Sequence, residues 1–416
     1  MSENALDRTE LFTVVAPLEA WRRLSEKIDA TGRREVLPLL RALGRVTAEE
    51  IRSPSELPTF PRSTMDGYAV RATSTYGASE GLPAQLKVVG EVPMGQAPKV
   101  VVSDAEAVLI HTGGMLPEGT DAVVMVENTQ PVAGGIEVVR PVAPGENVVQ
   151  VGEDVHSGMT VLPGGHILRP QDLGALAGVG IVEVAVAARP RVAVLATGDE
   201  VVPPEQPLAP GQVRDVNTTA LCALIEQVGG EPMLLGISPD EYGALLAAAQ
   251  SGLQAADALV IAAGSSVSTR DMTARVISEL GKPGVLVHGV ALRPGKPTIL
   301  AVAEGKPIFG LPGNPVSALV AARLFLVPAV YRLAGIAMQP RRPTVLARLT
   351  QNIPSAPGRE DYVPVRLVDQ QGETWAEPVF GKSNLIFTTV RADGSVQVPL
   401  DKGGLLAGEP VTVTLY

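Results

Sequence analysis

The sequence predicts a multidomain α/β plus β protein. It contains a doubly wound α/β domain, an inserted β-rich domain, an elongated linker region and a C-terminal β-barrel-like domain. A chain of 416 residues is too long for one ordinary domain. Strands alternate with helices between residues 191 and 333, which is typical of a parallel sheet with helices on both faces. On either side of this region the apolar pattern has a period of two and is broken by Pro and Gly.

The N-terminal residues predict one helix followed by an extended region. Apolar residues recur at helical spacing between Pro17 and Ala30, so one face of this helix should be buried. The Pro- and Ser-rich run Ser53–Pro61 interrupts regular structure and indicates a domain boundary. We therefore predict a domain boundary near Ser53.

Residues 55–147 are predicted to form the inserted β-rich domain, because short apolar runs are separated there by Gly or Pro clusters. The most lipid-like run, Leu173–Ala188, is shorter than the ~20 residues that cross a bilayer and contains Glu183. This run is instead predicted to form the end of a helix, a turn with glycine and a strand. We expect no membrane segment.

Residues 189–335 form the predicted α/β domain, and residues 336–416 form the C-terminal β domain. In the α/β domain, apolar runs of strand length alternate with longer runs of helical period. The predicted strands are Val192–Ala196, Met233–Ile237, Ala258–Ala262, Leu286–Val290, Thr298–Val302 and Ile308–Leu311, and the predicted helices are Asn217–Val228, Asp240–Leu253, Asp271–Leu280 and Val316–Leu333. After residue 343 the period returns to two, which indicates a small closed sheet.

Composition narrows the classes of partner. The net charge of −10 argues against a general nucleic-acid binder, so an anionic ligand must meet a local basic cluster. Cys222 is the only cysteine, which excludes a disulfide framework and a thiolate metal cage and favours a reducing compartment. The acidic N-terminus does not resemble a signal peptide, and we expect a cytoplasmic protein.

The stretch Val290–Leu319 carries the strongest indication of a binding site. A stiff, charged turn, Arg293–Pro297, precedes one apolar strand, and the turn Pro312–Pro315 follows the next. A helix then begins at Val316, so its first free N–H groups should favour an anion at the turn. Either turn alone is typical of ordinary structure, but together they predict that Lys296, Arg293 and Ser317 converge on one oxyanion.

Two further strand ends are polar, and ligands of open α/β sheets bind at such ends. Thr197–Glu200 offers carboxylates, and Gly264–Ser268 offers hydroxyl and N–H groups. Carboxylates for Mg²⁺ beside a basic pocket indicate phosphate-ester chemistry. No G-x-G-x-x-G follows a strand, and Gly381-Lys382-Ser383 lacks the earlier Gly of a Walker loop. The four histidines are scattered without ligand spacing, so structural roles are favoured for His111, His156, His166 and His288.

Six ordered motifs resemble the molybdopterin molybdenumtransferase family, which includes the C-terminal domain of gephyrin. They cover nearly the whole chain and consist of SxMDGYAV at Ser63–Val70, HTGGxxPxGxDAVVMxE at His111–Glu127, GED at Gly152–Asp154, TGDE at Thr197–Glu200, PGKP at Pro294–Pro297 and GLPGNPVS at Gly310–Ser317. The resemblance implies that residues 1–54 and residues 148–188 together form an elongated domain. It also implies a molybdopterin-binding type of α/β domain and a cytoplasmic homodimer with a shared active site. The implied activity is insertion of molybdate into adenylylated molybdopterin, with Mg²⁺-dependent release of AMP.

The resemblance also implies roles for individual residues. Catalysis is assigned to Asp66, Thr112, Asp154, Glu200, Asp215 and Asp271. Molybdate or another anion is assigned to Arg293, Lys296, Pro312, Pro315, Ser317, Arg359 and Ser383. The pterin and adenylyl groups are assigned to Thr197, Gly198, Asp199, Gly264, Ser265, Ser266 and Ser268. The metal is assigned to Asp199, Glu200 and Asp271.

One loop departs from the family pattern. Members commonly show Gly-Gly-Val-Ser-Val-Gly followed by an acidic residue and then Asp. This chain keeps the final Asp as Asp271, but Thr269 replaces the extra acid and Arg270 is added. The loop therefore has one carboxylate fewer for a metal, and Arg270 adds a cation that could bind the diphosphate. Arg293 replaces the frequent Lys and retains its charge.

Alternative functions are a tungstate-inserting homologue, a non-catalytic scaffold that keeps the fold, and an adenylyltransferase or nucleotide hydrolase. A scaffold predicts an incomplete polar site, whereas the motifs here are nearly complete. An adenylyltransferase or a nucleotide hydrolase would explain neither the β-rich module nor the C-terminal domain. A molybdopterin adenylyltransferase is a further expected partner.

Overall fold

The computed structural model describes residues 14–263 and 267–416, apart from the side chains of residues 267–270. The helices are α1 Pro17–Ser25, α2 Pro170–Gly178, α3 Asn217–Gln227, α4 Tyr242–Ala255, α5 Val267–Glu279, α6 Pro315–Ala321, α7 Val327–Leu333 and α8 Phe387–Val390. A π-helical turn, Ala322–Leu326, joins α6 to α7.

The strands fall into three groups along the chain. The first group is β1 Arg34–Pro38, β2 Ile51–Arg52, β3 Arg62–Ser63, β4 Gly67–Val70, β5 Ala84–Glu91, β6 Glu106–Ile110, β7 Ala122–Met125, β8 Thr129–Val132, β9 Gly135–Val138, β10 Val148–Val149, β11 Thr160–Leu162 and β12 Glu183–Ala187. The second is β13 Arg191–Thr197, β14 Val201–Val202, β15 Val213–Arg214, β16 Glu231–Ser238, β17 Ala258–Ala262, β18 Pro283–His288, β19 Leu292–Arg293, β20 Ile299–Ala303 and β21 Lys306–Leu311. The third is β22 Thr344–Leu349, β23 Ile353–Pro354, β24 Glu360–Gln370, β25 Glu373–Pro378, β26 Gly394–Val398, β27 Gly404–Leu405 and β28 Pro410–Leu415.

The α/β domain contains a six-stranded sheet in the order β16-β13-β17-β21-β20-β18. One face packs against α1, α3 and the α6–α7 segment, and the other packs against α4 and α5. The predicted alternation of strands and helices, with helices on both faces, is confirmed. The residues at the carboxyl ends of β13, β17 and β21 therefore share one edge of the sheet.

The expectation of a wholly parallel sheet is wrong. Strand β20 is antiparallel to both β18 and β21, because β20 and β21 form a hairpin. The hairpin turn consists of Glu304 and Gly305, both with positive φ, 50° and 78°. Two such residues form the tight turn that matches strand twist. The pair Glu-Gly between two apolar runs was the sequence signal for this reversal.

Helix α1 packs on the α/β sheet, although residues 1–54 were assigned to the elongated domain. Its fully buried residues Ala20 and Leu24 share a core with Leu221 and Phe325. The apolar stripe of a helix needs a broad apolar surface, which the two-stranded ribbons of the elongated part do not offer.

The α6–α7 segment, Pro315–Leu333, is long and apolar enough to cross a membrane by length and composition alone. The sequence pattern instead indicates Leu173–Ala188 as the most lipid-like run, and this prediction is wrong in overlooking the longer Pro315–Leu333. In the structure 72% of the most apolar window of Pro315–Leu333 is buried inside the protein. The segment is a core helix of the α/β domain, as its position in the apolar cluster shows.

The elongated region joins segments that lie far apart in the sequence. Strand β1 is antiparallel to β12, with Arg34 opposite Ala187, and β2 pairs with β11. Between these segments, a six-stranded sheet in the order β7-β4-β6-β5-β9-β8 forms the β-rich module. The short pair β3–β10 connects the module to the elongated region.

The C-terminal strands close into the predicted barrel. Strands β24, β25, β22, β28 and β26 are neighbours in that order, and β26 pairs again with β24. Strand β19 of the α/β domain adds to this barrel beside β24, with Arg293 opposite Asp361. This pairing brings the charged turn after β19 against the barrel.

A buried carboxylate, Asp172, anchors the elongated region at the start of α2. It accepts hydrogen bonds from the Arg169 backbone at 2.8 Å, the Arg169 side chain at 2.9 Å and the His166 ring at 2.8 Å. These contacts, chiefly that of the Arg169 side chain, hold the pKa of Asp172 well below its usual range. The ionised form therefore stabilises the fold above an unfolded pKa of about 3.9, and this stabilisation is lost as the pH falls below that value.

We expect Asp172→Ala to lower the free energy of unfolding by about 2 kcal/mol near neutral pH, because it removes the charge-assisted hydrogen bonds from His166 and Arg169. Urea unfolding at pH 7 and pH 3 should show a smaller difference between wild type and variant at the lower pH. Glu19→Ala is the control, since Glu19 binds Arg22 and Arg23 on an exposed helix face and should have a much smaller effect. Equal effects of the two variants would contradict an anchoring role.

Candidate active site

A basic cavity of about 610 Å³ lies between the charged turn, the start of α6 and the barrel. The turn contributes Arg293 and Lys296, and α6 contributes Ser317. The three residues that the sequence expects to converge thus lie in one cavity. The predicted residues Pro312, Arg359 and Ser383 also line it.

The barrel supplies two charged residues that sequence reasoning missed, Lys382 and Asp361. Asp361 is 2% exposed and lies 2.9 Å from Arg359 Nε and 3.6 Å from Arg293. The buried carboxylate therefore orients two guanidinium groups toward the same cavity. Among the described lining residues, four cations face one carboxylate, so the cavity suits an oxyanion.

The beginning of α6 differs from the expectation of free N–H groups. Pro315 has no N–H group, and the N–H of Val316 donates to the Ser383 carbonyl at 3.1 Å. The Asn314 side-chain amide donates to Ser383 Oγ at 2.9 Å. The barrel loop thus occupies the first helix donor, and the side chains rather than the Val316 N–H are available to an anion.

A second cavity, of about 350 Å³, lies at the carboxyl edge of the sheet. Its polar lining includes Thr197, Glu200, Asp215 and Asn217, and Pro315 also borders it. Asn314 lines both cavities, so the two adjoin at the turn before α6.

The turn after β13 requires glycine. Gly198 has φ +145°, and a Cβ there would lie 2.8 Å from Val201 Cγ2 and 3.0 Å from Glu200 Oε2. A larger residue would therefore displace the Glu200 carboxylate from the cavity. Two hydrogen bonds connect this turn to Asp240. The Thr197 hydroxyl donates to Asp240 Oδ1 at 2.7 Å, and the Asp240 N–H donates to Asp199 Oδ1 at 3.0 Å.

The predicted carboxylates have different surroundings. Glu200 and Asp215 line the second cavity, whereas Asp199 does not. Both Asp215 oxygens accept hydrogen bonds from Thr218, through its N–H and its hydroxyl. Asp271 lies exposed on α5. Within residues 14–263 and 267–416, no three or more His, Cys, Asp or Glu residues form a group that could hold a metal.

The predicted Gly264, Ser265 and Ser266 lie outside the described residues, as does the side chain of Ser268. Sequence reasoning missed Asn217, whose Nδ2 donates to the Gly313 carbonyl at 2.8 Å. Its Oδ1 is buried without a hydrogen-bond partner in the described structure. Such an oxygen favours a ligand that brings an N–H or O–H group.

Asp66 and Thr112 contact each other in the β-rich module. Asp66 Oδ1 accepts bonds from the Thr112 N–H at 2.9 Å and the Thr112 hydroxyl at 3.3 Å. The backbone bond is the main cause that lowers the pKa of Asp66. His111 lies between Asp66 and Glu91 at 3.5 and 3.3 Å. Asp66, Thr112 and the predicted Asp154 are absent from the described lining of both cavities.

Two adjoining cavities, one cationic and one lined by carboxylate and amide groups at the carboxyl edge of the sheet, are typical of α/β proteins that bind small molecules. Comparison with known sequences identifies the class more closely. Residues 15–180 match the MoeA N-terminal region (domain I and II). Residues 193–332 match a probable molybdopterin binding domain, and residues 346–416 match the MoeA C-terminal region (domain IV).

Similar proteins span the whole chain. The molybdopterin molybdenumtransferase of Haemophilus influenzae is 35% identical over 95% of this chain and 97% of its own length. That of a Nostoc species is 33% identical over 94% and 90%. A crystal structure of a molybdopterin biosynthesis MoeA protein from Pyrococcus horikoshii is 32% identical, covers 97% of this chain and 100% of that chain, and has a TM-score of 0.84. The chain belongs to the molybdopterin molybdenumtransferase (MoeA) family, whose members are transferases of molybdenum cofactor biosynthesis.

Proposed function

We propose that this protein inserts molybdate into adenylylated molybdopterin and releases AMP in a Mg²⁺-dependent reaction. The observation that carries the proposal is the meeting of the two cavities at Asn314. Molybdate and an adenylyl diphosphate are both anions, so molybdate needs cationic side chains, whereas a diphosphate beside carboxylates needs Mg²⁺ between them. The cationic cavity fits molybdate, and the second cavity fits the adenylyl diphosphate.

In the cationic cavity, Lys296, Arg293 and Arg359 bind the molybdate dianion, and Ser317 donates a hydroxyl hydrogen bond. Asp361 contacts both guanidinium groups and holds them at the cavity wall. The volume of about 610 Å³ exceeds what a tetrahedral oxyanion needs, so the dithiolene end of the pterin can enter beside it. The residues thus hold both reacting groups in one place, which lowers the entropic cost of the reaction.

Glu200 and Asn217 line the second cavity, and Asn217 Oδ1 is buried without a hydrogen-bond partner in the described structure. We assign Glu200 to the diphosphate side of the ligand and Asn217 Oδ1 to an amino group of the ligand. Mg²⁺ is usually held by one or two carboxylates together with substrate phosphate oxygens. Glu200 lines the second cavity and fits that pattern, and Asp199 and Asp271 are the further candidates in this chain. When bound, the cation would neutralise negative charge on the phosphate oxygens.

We also propose that the protein is a cytoplasmic homodimer whose two active sites are shared between the subunits. Asp66, Thr112 and Asp154 are assigned to catalysis, yet they are absent from the described lining of both cavities. In a two-fold dimer the module of one subunit would supply them to the cavities of the other. We further propose that a molybdopterin adenylyltransferase delivers the substrate.

The reaction itself is tested by incubating purified protein with adenylylated molybdopterin and Mg²⁺, with and without molybdate. We expect AMP and molybdenum-loaded pterin in equal amounts only when molybdate is present, as measured by chromatography and mass spectrometry. Adenylylated pterin that binds but is never converted would favour a scaffold instead.

Lys296→Ala should weaken the use of molybdate by about 10- to 100-fold, because a charge-assisted contact is worth ~1.5–3 kcal/mol. Binding of adenylylated pterin should change much less, as titration of each ligand would show. Lys402→Ala is the matched control, since Lys402 pairs with Glu409 outside both cavities. An equal loss of affinity for molybdate and for adenylylated pterin would show that the turn binds oxyanions without distinguishing them.

A further inference from the structure

A third cavity, of about 650 Å³, lies between the α6–α7 segment, α1 and the outer surface of the barrel. It shares only one described lining residue, Tyr362, with the cationic cavity and none with the cavity at the sheet edge. No residue assigned to catalysis lines it. This cavity is therefore separate from the proposed catalytic cavities.

The charge of this cavity is one-sided. Arg323, Arg341 and Arg342 line it, and no Asp or Glu occurs among its described lining residues. This is unusual in a chain whose net charge is −10. None of the three arginines forms an ion pair with a described carboxylate at 4.0 Å or less. A cluster of cations without carboxylates attracts an anion.

Arg323 carries a buried hydrogen-bond donor that faces no acceptor in the described structure. It lies in the π-helical turn, and its guanidinium stacks 4.7 Å from the centre of the Tyr416 ring. Its Nε atom is buried and has no hydrogen-bond partner in the described structure. Burial lowers the pKa of Arg323, which reflects the cost of keeping this cation away from water. An acceptor oxygen at Nε would remove that cost.

The walls of the cavity are aromatic. Trp21, Tyr331, Tyr362 and Tyr416 line it, although the whole chain has only 2 Trp, 6 Tyr and 6 Phe. Aromatic side chains bind flat rings by stacking, and arginine planes do the same. The volume is also that of a typical small-molecule site.

We propose that this cavity is a second ligand site, outside the catalytic cavities, for a planar aromatic ring that carries a phosphate monoester. The phosphate binds Arg323 through Nε together with Arg341 and Arg342, and the ring lies against Trp21 and Tyr331. The phosphate alone and the ring alone should each bind weakly, because the arginines interact with the phosphate and the aromatic walls interact with the ring.

The fluorescence of Trp21 tests the site directly. The chain has one other tryptophan, Trp375 in β25, so a Trp375→Phe variant makes Trp21 the only emitter when the protein is excited at a wavelength that tyrosine does not absorb. The probe is AMP, with adenosine and inorganic phosphate as the two controls. We expect AMP to change the emission in a saturable way and to bind at least about tenfold more tightly than either control. No saturable change with AMP, or equal binding of AMP and adenosine, would overturn the proposal.

Variants separate this cavity from the catalytic ones. In the Trp375→Phe background, Arg323→Met should weaken AMP binding at least about tenfold, and Arg323→Lys should weaken it less. Asn217→Ala, in the cavity proposed for the adenylyl group, should leave the Trp21 signal unchanged, while Arg323→Met should leave molybdate insertion unchanged. If Arg323→Met fails to fold, the exposed Arg341→Gln carries the test and must also weaken binding. An AMP signal that is lost in Asn217→Ala rather than in the arginine variants would assign the binding to the catalytic cavities and refute the second site.

Discussion

Replacing Asp271 with Asn should lower the rate of AMP release at least about a hundredfold, while the protein stays folded. Asp271 is exposed on α5, so its charge contributes little to the core. Asparagine keeps the shape and removes only the charge that we assign to holding Mg²⁺. Charge stabilisation by a bound metal is worth several kcal/mol, which corresponds to this loss in rate. Adenylylated pterin should accumulate.

The measurement is AMP release by chromatography, with thermal melting as the test of folding. Glu279→Gln on the same helix is the matched control, because it makes the same chemical change about 12 Å further along the helix axis. It should leave the rate nearly unchanged. Normal turnover by the Asp271→Asn protein would remove this residue from the active site.

Mixed dimers of Asp66→Asn and Asp271→Asn chains should recover about a quarter of wild-type activity. If Asp66 enters the site of the partner subunit, a mixed dimer places both lesions in one site and leaves the other intact. Random pairing makes about half of the dimers mixed, and each then has one active site of two. Each variant alone should be nearly inactive.

The mixture of Asp271→Asn with Lys296→Ala is the control. Both residues belong to the α/β domain, so every site in that mixture keeps one lesion and no activity should return. Pull-down with two different tags confirms that mixed dimers have formed. Activity no greater than the sum of the separate variants would show that each site is built within one subunit.

The sequence predicted the elements of the α/β domain well, because buried strands and amphipathic helices have different apolar periods. Strand Ala258–Ala262 begins and ends where predicted, and helix Asn217–Gln227 differs by one residue. It did not predict the direction of β20, although Glu304 and Gly305 carried the turn signal. Periodicity reports which residues are buried, but not which neighbour a strand pairs with.

The sequence by itself also determined the charged turn at Arg293–Pro297 and the polar strand ends, because these depend on residues close together in the chain. Only the tertiary structure placed Asp361 beside Arg293 and Arg359, through the pairing of β19 with β24. It likewise placed α1 on the α/β sheet. Such contacts join residues that are distant in the sequence, and they depend on packing between domains, which no local pattern records.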